Sequence, residues 1–363
     1  MRMNVFRQEE FFENYEFHCE YMLALSGVEP LTYRELTELA GPGPEPGHEV
    51  GYTPSAGYRE LREVIAAQYP SARAENVLVT VGAIEALLIL VNLLVEPGDE
   101  AVCLWPGYQP LHEYVTAAGG RLRLVPLAAA DGFRIDSGRI LDAVTERTRL
   151  VLINSPHNPT GQRVPAGELA ELAATLGDRG VHLLVDEVFR EMREDAEPTA
   201  WQPNPALSVV GGLSKAYGLP GLRIGWLVAD EDLVVRARQY RKYTSLNPGS
   251  LDQAWAVAVL RARDRVLART HELVRRGLRT TLDWFERWQD RFELVPPAGG
   301  GLVFPRLLGG TPTREFCVEL VERTGVLLAP GSDCYDTEGH LRMGFATSQL
   351  EAGLARIDGF LDR

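Results

Sequence analysis

The chain lacks an excess of positive charge. Its 363 residues include 37 lysines and arginines against 50 aspartates and glutamates, which gives a formal net charge of -13. Nucleic acids and anionic membrane surfaces repel a protein of this charge, so neither is expected as its main partner. Small substrates, including cationic ones, stay open.

Cysteine is also scarce. The four cysteines, Cys19, Cys103, Cys317 and Cys334, lie far apart, and none forms a CxxC pair. The sequence therefore predicts neither a disulfide framework nor a metal site, and a reducing cytoplasm is the expected location.

Long apolar runs and repeats are missing as well. No segment approaches the roughly 18 apolar residues of a membrane span, and the N-terminus has no signal-peptide core. The longest apolar run, "ALLILVNLLV", is interpreted as a buried helix. At 45% hydrophobic content, the chain is long enough to bury the core of a large domain with a smaller companion.

Seven short β-rich runs alternate with helical patterns. They are "NVLVTV", "EAVCLW", "RLRLVPL", "RLVLIN", "VHLLVD", "LSVVGG" and "IGWLVA". This alternation predicts an α/β domain with a mostly parallel seven-stranded sheet covered by helices on both faces. Ligands of such sheets bind at the carboxyl ends of the strands.

Composition suggests the domain boundaries. The Gly- and Pro-rich stretch 41–48 looks like a linker, and a long helical pattern begins near Leu251. We expect residues 1–46 to form an arm that packs with a small α+β domain at 271–363. Residues 47–270 would form the large domain.

The segment "LSVVGGLSKAYGLPGLRIGW" places Lys215 just beyond a buried strand, in a loop of small residues. Burial lowers the pKa of an amine, so Lys215 could form a Schiff base, and Arg223 could hold a phosphate. The alternative is a solvated surface lysine.

Three other strand ends carry candidate groups. Gly82 and Ala83 open a helix whose backbone N–H groups could bind phosphate, although such turns are often only structural. Asn158, in "NSPHNPTG", could bind a ring hydroxyl or be a turn asparagine. Asp186 ends an apolar strand, where its carboxylate needs a cation such as a protonated pyridine, a salt bridge or a helix-cap role.

These motifs, in this order and spacing, resemble the class I/II aminotransferases of pyridoxal-phosphate (PLP) fold type I over nearly the whole chain. The resemblance implies that Lys215 binds PLP as a Schiff base, that Asp186 pairs with the pyridine nitrogen, and that Asn158 contacts the phenolic oxygen. It also implies that the phosphate is held by Arg223, Ser214, Gly82 and Ala83.

The same resemblance implies further roles. Tyr108 matches the aromatic residue that stacks on the cofactor ring, with core packing as the alternative. Arg342 matches the arginine that binds the substrate carboxylate together with Asn158, with a surface cation as the alternative. Tyr52 resembles the tyrosine that reaches the phosphate of a neighbouring subunit, which implies a homodimer with shared sites.

Two positions depart from the family pattern. Phe189 stands where a tyrosine normally bonds the phenolic oxygen, and Gly212 stands where a serine often binds phosphate. Phe189 and the segment "LSGVEPLTYREL" resemble the corresponding parts of capreomycidine synthases. Phe189 is also similar to the residue at this place in PLP-dependent arginine oxidases and hydroxylases. In arginine-acting relatives the N-terminal region carries an acidic residue over the substrate. Among Glu13, Glu16 and Glu20 we favour Glu16, against solvated charges on an amphipathic helix.

Three functions follow. The favoured one is a PLP enzyme that forms an external aldimine and a quinonoid with L-arginine or a hydroxyarginine. It would oxidise or hydroxylate that substrate with O2, or catalyse elimination or cyclisation. The second is a conventional aminotransferase using a 2-oxo acid. The third, a PLP-binding regulator, is disfavoured because the 45 or so residues before the large domain are acidic and show no helix-turn-helix pattern.

Overall fold

The computed structural model describes residues 2–362. The strands are β1 Tyr21–Met22, β2 Val77–Val81, β3 Glu100–Trp105, β4 Arg121–Pro126, β5 Thr148–Asn154, β6 His182–Asp186, β7 Leu207–Gly212, β8 Ile224–Val228, β9 Phe292–Glu293, β10 Leu302–Val303, β11 Arg306–Leu307, β12 Val326–Leu327, β13 Ala329–Pro330 and β14 Leu341–Gly344. The helices are α1 Arg7–Tyr15, α2 Tyr33–Ala40, α3 Arg59–Ala66, α4 Gly82–Leu94, α5 Gln109–Ala117, α6 Ser137–Ala143, α7 Ala166–Asp178, α8 Glu231–Arg241, α9 Ser250–Arg261, α10 Arg263–Arg287, α11 Thr313–Thr324, α12 Gly331–Tyr335 and α13 Leu350–Leu361.

A seven-stranded sheet forms the centre of the molecule, in the order β2-β8-β7-β6-β5-β3-β4. Strand β8 runs antiparallel to both of its neighbours, β2 and β7, and the other pairs are parallel. All seven strands coincide with the predicted β-rich runs. The predicted α/β class and the mostly parallel sheet are confirmed.

Both faces of the sheet are covered. In β6, Leu183 and Val185 join the apolar cluster on one face, whereas Leu184 joins the cluster on the other. Successive side chains of a strand point to opposite faces of the sheet. A strand in which consecutive residues are all apolar therefore needs helices on both sides. The apolar run interpreted as a buried helix lies in α4, which packs on β8, β2 and β7.

The C-terminal part contains small sheets. Strands β10, β14 and β13 form an antiparallel sheet, and β9 pairs with β11. The N-terminal strand β1 lies parallel to β12, with Tyr21 opposite Val326. The 25-residue helix α10 contacts α2 and α13. The arm thus touches the C-terminal part, while the domain boundaries stay a prediction.

No helix within residues 2–362 is both long enough and apolar enough to span a bilayer.

Candidate active site

A cavity of about 570 Å³ opens at the carboxyl ends of β5, β6 and β7. The last residue of each strand, Asn154, Asp186 and Gly212, lines it. The opposite wall comes from α1, from the loop after β1 and from Arg342 of β14. The cavity therefore lies at the edge where open α/β sheets bind ligands, and segments far apart in sequence enclose it.

Lys215 lies in this cavity, three residues after β7. Its Nζ donates a hydrogen bond to Ser26 Oγ at 2.7 Å and lies 5.8 Å from the centre of the Phe189 ring. Burial, reinforced by the positive charge of Arg342, lowers the pKa of Lys215 to about 8. Such an amine is neutral, and hence nucleophilic, in far larger proportion at neutral pH than an exposed lysine.

Asp186 is buried at the end of β6. Its Oδ1 accepts a hydrogen bond from Val188 N at 3.1 Å, and its carboxylate forms no salt bridge within residues 2–362. Burial raises the pKa of Asp186 to about 7. A cationic group beside this carboxylate would favour its charged form, as the protonated ring nitrogen of a pyridine would.

The start of α4 and the end of the Lys215 loop form a cradle for an anion. Gly82 has φ +73° and donates its N–H to Arg223 O at 2.9 Å, and a Cβ on Gly82 would come 2.5 Å from Arg223 Nη2. Ala83, Ser214 and Arg223 line the cavity next to this turn. Backbone N–H groups at a helix start, a hydroxyl and a guanidinium together suit a phosphate.

Arg342 and Asn158 belong to a buried hydrogen-bond network. Arg342 Nη1 donates to Asn158 Oδ1 at 3.3 Å and also to the hydroxyl of Tyr335, while Nη2 donates to Ala24 O at 2.7 Å. Arg342 is 1% exposed, and its Nε has no hydrogen-bond partner within residues 2–362. A buried guanidinium with a free N–H beside the cavity is suited to bind a carboxylate.

Tyr108 and Phe189 flank the cavity with aromatic rings. Tyr108 lies at the start of α5, and Phe6 packs edge-on against it with ring centres 5.8 Å apart. Phe189 is 4% exposed and follows Asp186 by three residues. Gly212, the other departure from the family pattern, lines the same cavity, and a Cβ on it would lie 3.8 Å from Ala83 Cβ.

Helix α1 and the residue that follows it contribute two carboxylates. Glu9 and Glu16, seven residues apart, line the cavity, whereas Glu13 and Glu20 do not. Burial and the neighbouring Glu9 raise the pKa of Glu16, and Lys215 opposes this rise. The structure thus places the favoured Glu16 at the cavity and adds Glu9, which we did not single out from the sequence.

Tyr52 does not join the other residues. Its side chain is 90% exposed and does not line the cavity of its own subunit. This placement leaves it free to reach another subunit, and the role stays a prediction.

Several residues of the site were missed in the sequence. They are Gln8, Glu9, Ser26, Asn154 and Tyr335. Ser26 lies within "LSGVEPLTYREL" and Asn154 within "VLINSPHNPTG", so both belong to segments that carry the family resemblance. Tyr335 precedes Arg342 by seven residues and carries no local signal, because its contacts with Asn158 and Gln8 depend on tertiary packing.

The sheet order and the lysine-centred cavity are those of a pyridoxal-phosphate-dependent enzyme. The family described as Aminotransferase class I and II matches residues 45–357, and the chain belongs to this family. The predicted family, enzyme class and PLP cofactor are confirmed. The cavity fits this cofactor: Lys215 for an aldehyde, Asp186 for a ring nitrogen and the α4 cradle for a phosphate.

Individual relatives differ in their reactions. A capreomycidine synthase from Streptomyces vinaceus is 35% identical over 359 residues, covering 96% of this chain and 92% of the relative. A PLP-dependent aminotransferase from Streptococcus suis superposes with a TM-score of 0.94 at 30% identity, covering 100% of this chain and 99% of that one. The PLP-dependent cyclase OrfR superposes with a TM-score of 0.90 at 28% identity, covering 100% and 98%.

Proposed function

We propose that this enzyme acts on L-arginine or a hydroxyarginine, in a reaction other than simple transamination. The observation that carries the substrate class is the pair of carboxylates, Glu9 and Glu16, in a cavity that also holds the buried Arg342. An α-amino acid with a cationic side chain would place its carboxylate at Arg342 and its cation against α1. Opposite charges at the two ends fix one orientation.

Two observations support the unusual reaction. The similarity to a capreomycidine synthase extends over nearly the whole chain. Phe189 offers no hydroxyl to a cofactor beside Lys215. The phenolic oxygen of PLP would accept one hydrogen bond fewer, which changes the charge on the cofactor ring. This change favours a reaction of the bound substrate other than transamination.

The chain's own residues would have the following tasks. Arg223, Ser214 and the N–H groups of Gly82 and Ala83 hold the phosphate, Tyr108 covers the ring, and Asn158 donates to the phenolic oxygen. When bound, PLP supplies an electron sink for the bond broken at the substrate Cα. The Lys215 amine would remove and return the Cα proton, while Ser26 Oγ accepts a hydrogen bond from its Nζ.

A reaction test separates the proposal from a conventional aminotransferase. The purified protein is incubated with L-arginine in air and without oxygen, each with and without pyruvate or 2-oxoglutarate. Turnover that needs no keto acid is expected, with oxygen uptake if L-arginine is oxidised or hydroxylated, and without it if a hydroxyarginine loses its hydroxyl as water in elimination or cyclisation. A hydroxyarginine is tested in parallel. Strict dependence on a keto acid would establish the alternative, which the Streptococcus suis structure favours.

A substrate test addresses the carboxylates of α1. L-Citrulline has the shape of arginine without its charge, so it is expected to bind at least tenfold more weakly, the loss of roughly one charged hydrogen-bonded pair. Glu16→Gln should reduce this preference, whereas the exposed Glu13→Gln serves as the matched control. Binding is measured by changes in PLP absorbance. Equal affinities for arginine and citrulline in the unmodified protein would exclude recognition of the cation.

A further inference from the structure

Tyr335, the last residue of α12, connects Asn158 and Arg342 with Gln8 of α1. Its hydroxyl lies 2.7 Å from Asn158 Oδ1 and 3.4 Å from Gln8 Oε1, and it accepts a hydrogen bond from Arg342 Nη1. Tyr335 is 1% exposed. The roles proposed above for Asn158 and Arg342 leave this hydroxyl without a task.

The contacts determine which way the Asn158 amide faces. A phenol has one proton, and the nearer acceptor, Asn158 Oδ1, receives it. Arg342 Nη1 can only donate, and it too lies within hydrogen-bond distance of Oδ1, at 3.3 Å. A reversed amide would set its own N–H groups against the guanidinium. Two donors on Oδ1 therefore leave Nδ2 to face the cavity as a donor.

The main chain of Asn158 is held independently. Its N–H donates to Asn154 Oδ1 at 2.7 Å, and Asn154 Nδ2 donates to Asp186 O at 3.0 Å. The backbone position thus comes from the β5 and β6 strand ends, whereas the side-chain orientation comes from Tyr335 and Arg342.

The hydroxyl keeps its proton under working conditions. Burial raises the pKa of Tyr335 well above its ordinary value, so the phenol stays neutral and remains a donor. Its ring packs edge-on against Phe304, with ring centres 5.6 Å apart. A phenylalanine at this position would keep that packing and lose only the hydrogen bonds.

We propose that Tyr335 is a positioning residue that holds the Asn158 amide with Nδ2 directed at the phenolic oxygen of the bound cofactor. It also ties that amide to the guanidinium that receives the substrate carboxylate. Because Phe189 has no polar group, the tethered amide is the donor by which this part of the wall influences the cofactor. This inference rests on the roles proposed for Asn158 and Arg342.

The test is Tyr335→Phe in the PLP-loaded protein, with the visible absorbance recorded against pH. An amide N–H that donates to the phenolic oxygen stabilises the negative charge on that oxygen. The charge then attracts the proton on the neighbouring Schiff-base nitrogen less strongly. Loss of the Tyr335 hydroxyl should therefore raise the pH midpoint of the absorbance change by roughly half to one unit, which corresponds to about one hydrogen bond. Tyr114→Phe, a buried tyrosine of α5 outside the cavity, should leave the midpoint unchanged.

A double-mutant cycle shows whether Tyr335 acts through Asn158. In an Asn158→Ala background, Tyr335→Phe is expected to cause no further shift, because the tethered group is gone. The cofactor-free melting temperature should stay within about 2 °C of the parent, since the ring packing is kept. Tyr335→Leu, which also lacks the hydroxyl, is a second variant and should shift the midpoint in the same direction.

Two results would overturn the inference. One is an unchanged midpoint in Tyr335→Phe, and the other is an equal shift with and without Asn158. Either result leaves the proposed substrate intact if the parent protein binds PLP and prefers arginine to citrulline. A parent protein that binds no PLP would remove both proposals.

Discussion

Lys215 differs from an ordinary lysine first because it is buried and then because of the charges around it. Arg342 and Arg223 lower its pKa, and Asp186 and Glu9 act in the opposite direction. Burial outweighs the acidic groups, and the pKa of about 8 follows. The amine is therefore ready to react with an aldehyde near neutral pH.

The rate of PLP capture should reveal this pKa. Below pH 8 the rate of colour formation from cofactor-free protein is expected to rise about tenfold per pH unit, because only the neutral amine attacks. Above pH 8 it should level off. The chain has two lysines, so borohydride reduction and mass mapping must place the label on Lys215 and not on the exposed Lys242. Lys242→Ala is the matched control, and a rate still rising at pH 10 would contradict the shift.

Residues at strand ends could be anticipated, and residues that meet through tertiary packing could not. Asp186 and Lys215 follow apolar strands, so their burial could be inferred from the flanking sequence. Ser26 meets Lys215 from 189 positions away. Glu9 lines the cavity and Glu13 does not, because of the side that α1 turns toward the cavity. The helical pattern in the sequence does not show which side this is.

Helix α4 and strand β8 approach each other very closely at the phosphate cradle. A Cβ on Gly225 would overlap the main-chain N and Cα of Ala83 and the carbonyl carbon of Gly82. Main-chain atoms cannot move aside as a flexible side chain can. The cradle therefore depends on the absence of a side chain in β8.

Gly225→Ala should damage the cradle. We expect a loss of roughly 1–3 kcal/mol in the free energy of unfolding, together with weaker PLP binding, because the start of α4 must shift. Gly359→Ala in α13, where a Cβ meets open space, is the control and should not destabilise the protein. Urea denaturation and PLP titration measure the two effects, and equal behaviour of both variants would refute the close approach.

The elements of the sheet could be predicted because every strand is a short β-rich run between helical patterns, and all but β4 are mostly buried. The two-residue strand β1 could not. Two residues are too few for periodicity to appear, and β1 forms only where the arm meets β12 of the C-terminal part.

At the scale of the whole molecule, exposed Tyr52 is the feature that a single subunit leaves unexplained. The family resemblance assigns it to the phosphate of a neighbouring subunit, and its 90% exposure is compatible with that role. We propose a homodimer in which each site uses residues of both chains.

Mixed dimers test the sharing of sites. Differently tagged Lys215→Ala and Tyr52→Ala subunits are coexpressed, and the mixed dimer is purified. If Tyr52 serves the partner, one site carries both changes and the other none, so about half of the parent activity returns. Tyr52→Ala alone should bind PLP roughly tenfold more weakly. If Tyr52 serves its own subunit, the mixed dimer contains no intact site, and activity stays low.

The loop after β1 has a consequence for how the chain matures. Val28 N donates to Lys215 O at 3.1 Å and Ala24 O accepts from Arg342, while β1 itself is paired with β12. The Lys215 amine is enclosed only after residues 21–28 have met residues 326–342. A nascent chain cannot make these contacts before residues 326–342 have left the ribosome, so the yellow colour of the holoenzyme should develop only after that point, and its appearance would time this late step of folding.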